Sequence, residues 1–181
     1  MKLLLYCTKS KPYLLKLKDK DVDFFSNYKK YFLCDLQYKD KFKNYAFNGK
    51  ILAECDFEVE KMGLDTGKGL VFDNGFNKES QLDLFEIAKY VGNNYYYAIH
   101  IQNLHIFDKP RPTKWYGYTD KKGYLCSVEK APQNMMYCYD EFGNDYVLIS
   151  IHSEWLCKIL NGEKTIEVRK KVLRGMLKNG N

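Results

Sequence analysis

The sequence predicts an α+β protein that is mainly β, and three observations carry the prediction. Ile51, Ala53, Cys55, Phe57 and Val59 alternate with Leu52, Glu54, Asp56, Glu58 and Glu60, the period of a strand with an acidic outer face. Residues 146–171, YVLISIHSEWLCKILNGEKTIEVRKK, hold an apolar run, a short amphipathic helix, a glycine stop and a second alternating run. Glycine, proline and asparagine break much of the remainder into strand-length pieces. The length of 181 residues suits one domain spanning 1–181, with an insertion at 22–47.

Taken in order, Lys2 to Cys7 reads as the first strand, and T-K-S-K-P around Pro12 as a turn. Val22 to Phe47 is a lysine- and aromatic-rich insertion without a strong period, compatible with a hairpin, a helix or both. Asn48-Gly49 is a turn signal ahead of the alternating strand at 51–60. Gly63 to Lys78 reads as a glycine-punctuated loop. Ser80 and Asp83 form a capping box for a helix through about Val91, closed by Gly92, with Leu84, Ile87, Ala88 and Val91 on its buried side. Tyr95 to Phe107 is a long strand with a bulge near Asn103, where its alternation shifts, and Lys109-Pro110-Arg111-Pro112 stops it. A strand at Tyr124 to Val128 follows a D-K-K-G turn. A final hairpin joins Met136–Tyr139 to Val147–Ile151 across D-E-F-G-N-D.

The 146–171 unit carries the chemistry. Tyr146 to Ile151 is strand-forming, and Ser153 suits an N-cap before Trp155, Leu156, Ile159 and Leu160, which share one helical face. Gly162 stands where a left-handed helix end is wanted. Ile166 and Val168 then alternate with Thr165, Glu167 and Arg169, so the three polar residues share one side of a strand and Lys164 leans over it from the turn. Arginine offers a fixed fork of donors for a phosphate or a base edge, and lysine a mobile point charge. A nearby glutamate accepts from an amine or holds the cations in place. On spacing alone, an exposed cross-strand ion network of about 1 kcal/mol or less is the simpler reading.

The net charge of +6 and a pI near 8.8 favour an acidic partner such as nucleic acid. Of the three arginines, Arg111, Arg169 and Arg174, two lie in the final segment, and Arg111 is a further candidate ligand contact. Aromatics make up 16% of the chain, with 16 Tyr; many are expected to be core and sheet residues, though base stacking also uses them. Cys7, Cys34, Cys55, Cys126, Cys138 and Cys157 form no C-x-x-C pair and have no histidine at ligand spacing, so neither a metal site nor a cofactor is expected. His100, His105 and His152 are scattered. The apolar start Met1 to Tyr6 ends too soon at Lys9 and Lys11 for a signal core or membrane span, and scattered thiols fit a reducing cytoplasm.

The pattern G-x-K-T-x-E-x-R, made of Gly162, Lys164, Thr165, Glu167 and Arg169, resembles the opening unit of ASCH domains, the PUA-like β-barrels associated with RNA. LLLYCTK, GKILAECDFEVEKM, YAIHIQNLHIFDKPRP and APQNMMYC resemble the segments that follow that unit in the family, with the unit itself moved to the end. The resemblance implies a small mixed β-barrel with flanking helices, circularly permuted, its usual ends joined by residues 140–145. An alternative arrangement docks the final unit onto a second copy as a swapped dimer. The resemblance also shifts the balance for residues 164–169 from surface ion pairs to a site.

That site is implied to be a cleft for RNA or a nucleotide, contacted by Tyr6, Lys9, Gly162, Lys164, Glu167, Arg169 and Arg111. Similar small acetylcytidine amidohydrolases use a lysine, matched by Lys164, and a threonine where this chain has Glu167. Thr165 is an offset substitute, and Glu79 is a loose match to a glutamate those enzymes carry before a helix. ASCH proteins that cut single-stranded RNA use lysine and tyrosine, which Lys164 with Tyr6 or Lys9 would imitate. Three classes stay open: an RNA- or nucleotide-binding module, a metal-independent hydrolase acting on RNA or a modified nucleoside, and a protein-directed inhibitor of phage or mobile-element type that uses 22–47 as its contact surface.

Overall fold

The computed structural model describes residues 1–8, 49–63, 74–92 and 95–177. The 22–47 insertion, the turn around Pro12 and Lys9 lie outside the described residues. Among the described residues the chain forms β1 (Lys2–Cys7), β2 (Ile51–Gly63), α1 (Asn74–Ser80), α2 (Leu84–Val91), β3 (Tyr95–Arg111), β4 (Gly117–Thr119), β5 (Leu125–Ser127), β6 (Met135–Tyr139), β7 (Asp145–Ile151), α3 (Ser153–Leu160) and β8 (Ile166–Arg169). The strands make one mixed sheet in the order β5-β4-β6-β7-β1-β2-β3-β8.

The uniformly apolar runs occupy the centre of this sheet. β1 and β7 lie side by side in parallel, Leu3 opposite Val147 and Leu5 opposite Ile149. A strand buried on both faces needs no polar alternation, which is why LLLYC and YVLISI read as continuous apolar stretches. Leu3, Leu5, Cys7, Val147, Ile149 and Ile151 face one cluster, into which Leu156, Ile159 and Leu160 of α3 and Met176 of the tail are packed. Leu4, Tyr6, Tyr146 and Leu148 face the other way, onto Ile51, Phe107, Tyr116 and Cys138. A third cluster joins Ile87 and Val91 of α2 to Tyr96, Ala98, Ile166 and Val168.

β7, α3 and β8 form the strand–helix–strand unit expected at 146–171, but its two strands are not neighbours. β1, β2 and β3 lie between them, and α3 crosses the face they share. The closed barrel expected from the sequence is corrected to an open sheet. β8 has only β3 as a ladder partner among the described residues, pairing Ile99 with Glu167 and Tyr97 with Arg169. β5 stands at the opposite edge of the sheet order, and β8, four residues long, makes no ladder with it among the described residues. The sheet nevertheless curls far enough for an arginine of β8 to reach the backbone of β7.

Several local expectations shift. Part of the expected loop at 63–78 is helix α1. The capping box of α2 is Asp83 with Glu86 rather than Ser80 with Asp83: Glu86 N donates to Asp83 Oδ1 at 2.7 Å and Asp83 N to Glu86 Oε2 at 2.9 Å. Gly92 closes that helix in the left-handed conformation. α3 starts at Ser153 itself, placing His152 at its N-cap. β3 runs on through Pro110 to Arg111, which pairs with Ile51, instead of stopping at Lys109. Its expected bulge is present: Asn103 has φ of +48°, and its amide donates to Asp56 Oδ2 at 2.9 Å across the shifted register.

Candidate functional site

Helix α3 ends in a turn that fixes the position of Lys164. Gly162, at φ +77°, reverses the chain while its N–H bonds Ile159 O, and Lys164 N then bonds Lys158 O at 3.0 Å. The Lys164 side chain is thereby directed inward, with only 1% of its surface exposed. Its ammonium donates to the carbonyl of Ser80, the last residue of α1, where helix carbonyls lack intrahelical partners. Leu82 N is satisfied locally by Ser80 Oγ at 3.3 Å, so the reversal after α1 leaves the Ser80 carbonyl for the lysine.

β8 then contributes the other two charges. Ile166 and Val168 pack against α2, so Glu167 and Arg169 point to the opposite face, toward the inside of the curl. Glu167 holds both cations: Oε1 lies 3.0 Å from Arg169 Nε and Oε2 lies 3.6 Å from Lys164 Nζ. The Arg169 Nε contact has the distance of an ion pair without the alignment of a hydrogen bond. Arg169 Nη1 donates to Asn134 Oδ1 at 2.9 Å and Nη2 to Ser150 O at 2.7 Å. Ser150 is held in turn by its hydroxyl on Pro132 O and its N–H on Asn134 O. The guanidinium therefore fastens the edge strand β8 to the end of the β6–β7 pairing, at Asn134 and Ser150.

Charges this deeply buried are stable only when paired. Burial is the main influence on Lys164 and pulls its pKa below the ordinary lysine value, while the Glu167 carboxylate pulls it back up. The result is an ammonium poised nearer to losing its proton than a surface lysine would be.

Lys164, Glu167 and Arg169 form one wall of a hollow of about 410 Å³. Trp155 and His152 from the start of α3, Thr8 after β1, Tyr90 of α2 and Gln133 also line it. Thr8 Oγ1 lies 3.5 Å from His152 Nδ1. The Trp155 ring centroid is 5.2 Å from Lys164 Nζ and 4.9 Å from Lys158 Nζ, and Lys170 Nζ lies 4.9 Å from the Tyr90 centroid. The arrangement combines two partly accessible aromatic rings, an internal charge triad carrying two cations to one anion, and Lys158 and Lys170 set over those rings.

The other candidates from the sequence stand elsewhere. Gly162 is exposed and shapes the turn without lining the hollow. Thr165 precedes β8 and is exposed, unlike Glu167 and Arg169; its N–H donates to Glu79 O at 2.9 Å and its carbonyl accepts from Ile101 N at 2.8 Å. Glu79 is likewise an exposed side chain that meets this region only through that carbonyl. Tyr6 is buried in the cluster on the far face of β1, where burial raises its pKa. Arg111 lies over the Phe107 ring at 3.5 Å and donates to Tyr116 Oη at 3.3 Å, away from the hollow.

Residues that the sequence reading missed are Thr8, Tyr90, Gln133, Asn134 and Ser150, with His152 and Trp155 assigned to other roles. Trp155 fitted the buried stripe of α3 and does touch the core, but its ring also reaches the hollow. Ser150 acts through a carbonyl, which leaves no mark in a sequence. Among the described residues no cluster of histidine, cysteine, aspartate and glutamate is arranged to hold a metal ion, and no helix is long and apolar enough to cross a membrane. No family model, curated protein or solved structure matches the chain.

Proposed function

We propose that the chain is an RNA- or nucleotide-binding module of ASCH type, with a circularly permuted PUA-like arrangement, and that the hollow beside Lys164, Glu167 and Arg169 is its binding site. The observation that carries this reading is the convergence of the three motif residues, each nine-tenths or more buried, on the wall of a hollow of nucleotide size. Motif residues forming a surface ion network would instead be solvated on a convex face. The basic balance of the chain and the aromatic rings lining the hollow agree with a ligand that is flat and anionic. The placement of β7 beside β1 and β8 beside β3 supports the permuted order, because the terminal unit completes the same sheet that the N-terminal strand begins.

Fluorescence anisotropy with a labelled single-stranded RNA of about ten nucleotides tests the proposal. About three phosphate contacts give a slope near −2 in log K against log salt, and so a roughly 15-fold loss between 50 and 200 mM. Lys164→Met, which empties the wall of its buried cation, weakens binding at least tenfold. Binding that ignores both salt and that substitution removes the motif from the site.

The depressed pKa of Lys164 favours a second reading, a metal-independent hydrolase in which Lys164 serves as general base. Incubation with RNA and with acetylated cytidine, wild type beside Lys164→Met, separates the two. Equal product from both proteins leaves binding alone.

A further inference from the structure

We propose that the hollow holds one unpaired nucleobase at a time, stacked on Trp155, with the edge of the base read by Lys164 and Glu167 while Arg169 clamps β8 beside them. The inference rests on the nucleotide-binding reading above and specifies which part of the nucleotide is held and by what.

Three observations lead to it. Arg169 is anchored by the protein: Nη1 donates to Asn134 Oδ1, Nη2 donates to Ser150 O, and Nε lies at ion-pair distance from Glu167 without a hydrogen bond. With both terminal nitrogens bonded to groups at the end of the β6–β7 ladder, the guanidinium serves first as a clamp for β8. The Lys164–Glu167 pair is different. At 3.6 Å the ammonium and Oε2 are too far apart for a hydrogen bond, so each keeps capacity for a third party. A donor and an acceptor side by side on a buried wall match the neighbouring carbonyl or ring nitrogen and N–H found along nucleobase edges. Lastly, Trp155 is half-buried, anchored against the core and adjacent to that same ammonium. A ring fixed on one side and facing a hollow on the other is a stacking platform.

Size limits the ligand. About 410 Å³ lies toward the lower end for small-molecule sites, room for a single nucleoside and not for a stacked pair. A base inside a duplex would have to leave its stack to enter, so free nucleotides and single strands are preferred. Lys158, with its ammonium 4.9 Å from the Trp155 ring centroid, is placed to turn from the indole to a phosphate once a base covers the ring. Base stacking is the stronger of the two contacts that would compete for that face.

The test uses the full chain carrying Trp115→Phe, which leaves Trp155 as the sole tryptophan. Ribonucleoside monophosphates are expected to quench Trp155 emission and ribose 5-phosphate to do nothing. A single-stranded RNA is expected to bind at least tenfold more tightly than the same sequence as a duplex. Trp155→Leu lowers nucleotide affinity about tenfold, whereas Trp155→Phe, which retains a ring and the core contact, lowers it threefold or less. Ribose 5-phosphate competing as well as a nucleotide, equal affinity for duplex, or nucleotide binding without quenching overturns the stacking assignment while leaving nucleotide binding in place. Absence of all binding to RNA and nucleotides removes both. The quenching measurement needs no substitution at 155, so a poorly folded Leu variant does not block the test.

Discussion

Replacing Glu167 with glutamine keeps the shape of the wall and deletes the anion that reconciles its two cations. In the wild type the carboxylate lies 3.0 Å from Arg169 Nε and 3.6 Å from Lys164 Nζ, with all three side chains nearly sealed from solvent. Removing one partner of a buried ion pair costs about 3–5 kcal/mol, because the charge left behind has lost both water and partner. Lysine has an escape, since it can shed its proton. From the ordinary lysine value, neutralisation at pH 7 costs about 5 kcal/mol, which sets a ceiling on what the stranded Lys164 can contribute. The expected loss at pH 7 is therefore about 3–5 kcal/mol, a fall in Tm on the order of 10 °C for a chain of this length.

The loss depends on pH with a definite sign. Burial already lowers the Lys164 pKa, and Glu167 is the chief influence raising it, so the substitution lowers it further. Between the folded pKa and the ordinary lysine value near 10.4, the unfolded chain binds more protons than the folded one, and stability rises with pH. The Glu167→Gln variant should accordingly recover part of its deficit between pH 7 and pH 9.5, measured by urea unfolding at each pH beside wild type. A deficit below about 1 kcal/mol with no recovery would falsify the buried-triad account and return these residues to the status of surface ion pairs.

Three further outcomes are expected. Burial pushes the thiols of Cys7, Cys55, Cys138 and Cys157 up to about 12, so brief iodoacetamide treatment of the folded protein at pH 8, read by peptide mass spectrometry, should leave these four unmodified and label the half-exposed Cys126. Asp83→Ala removes the side chain that caps α2 and should cost about 1 kcal/mol, with faster amide exchange at Ile87 to Val91 as the local readout. Gly162→Ala meets no atom within 4 Å of the added carbon, so its cost is the left-handed backbone alone, about 1–2 kcal/mol and a few degrees of Tm, with RNA affinity retained at temperatures where the variant is folded.

The sheet was largely legible because its strands follow rules of local pattern. Alternation marked 51–60, continuous apolar runs marked β1 and β7, and an alternation fault marked the bulge at Asn103. Helix α2 and its glycine stop were also visible, although the cap was placed one box too early. α1 was missed because NGFNKES carries little apolar periodicity and its flank is rich in glycine. The closed barrel was not obtained because closure depends on where ladders end. No residue pattern announces that, among the described residues, β8 pairs with β3 alone.

For the site, the sequence determined which charges exist and that Lys164, Glu167 and Arg169 sit within one turn and one short strand, since spacing along a chain is covalent. Only the tertiary structure decided that they are buried and that the guanidinium is bonded to Asn134 and Ser150. It also decided that Trp155, Tyr90, Thr8 and Gln133 share their hollow. Tyr6, Arg111 and Glu79 looked equally eligible by residue type and were placed elsewhere by the direction in which their elements face. Burial and proximity arise from the curl of the whole sheet, which depends on contacts between residues far apart in the chain, such as Arg169 with Ser150 and Lys164 with Ser80.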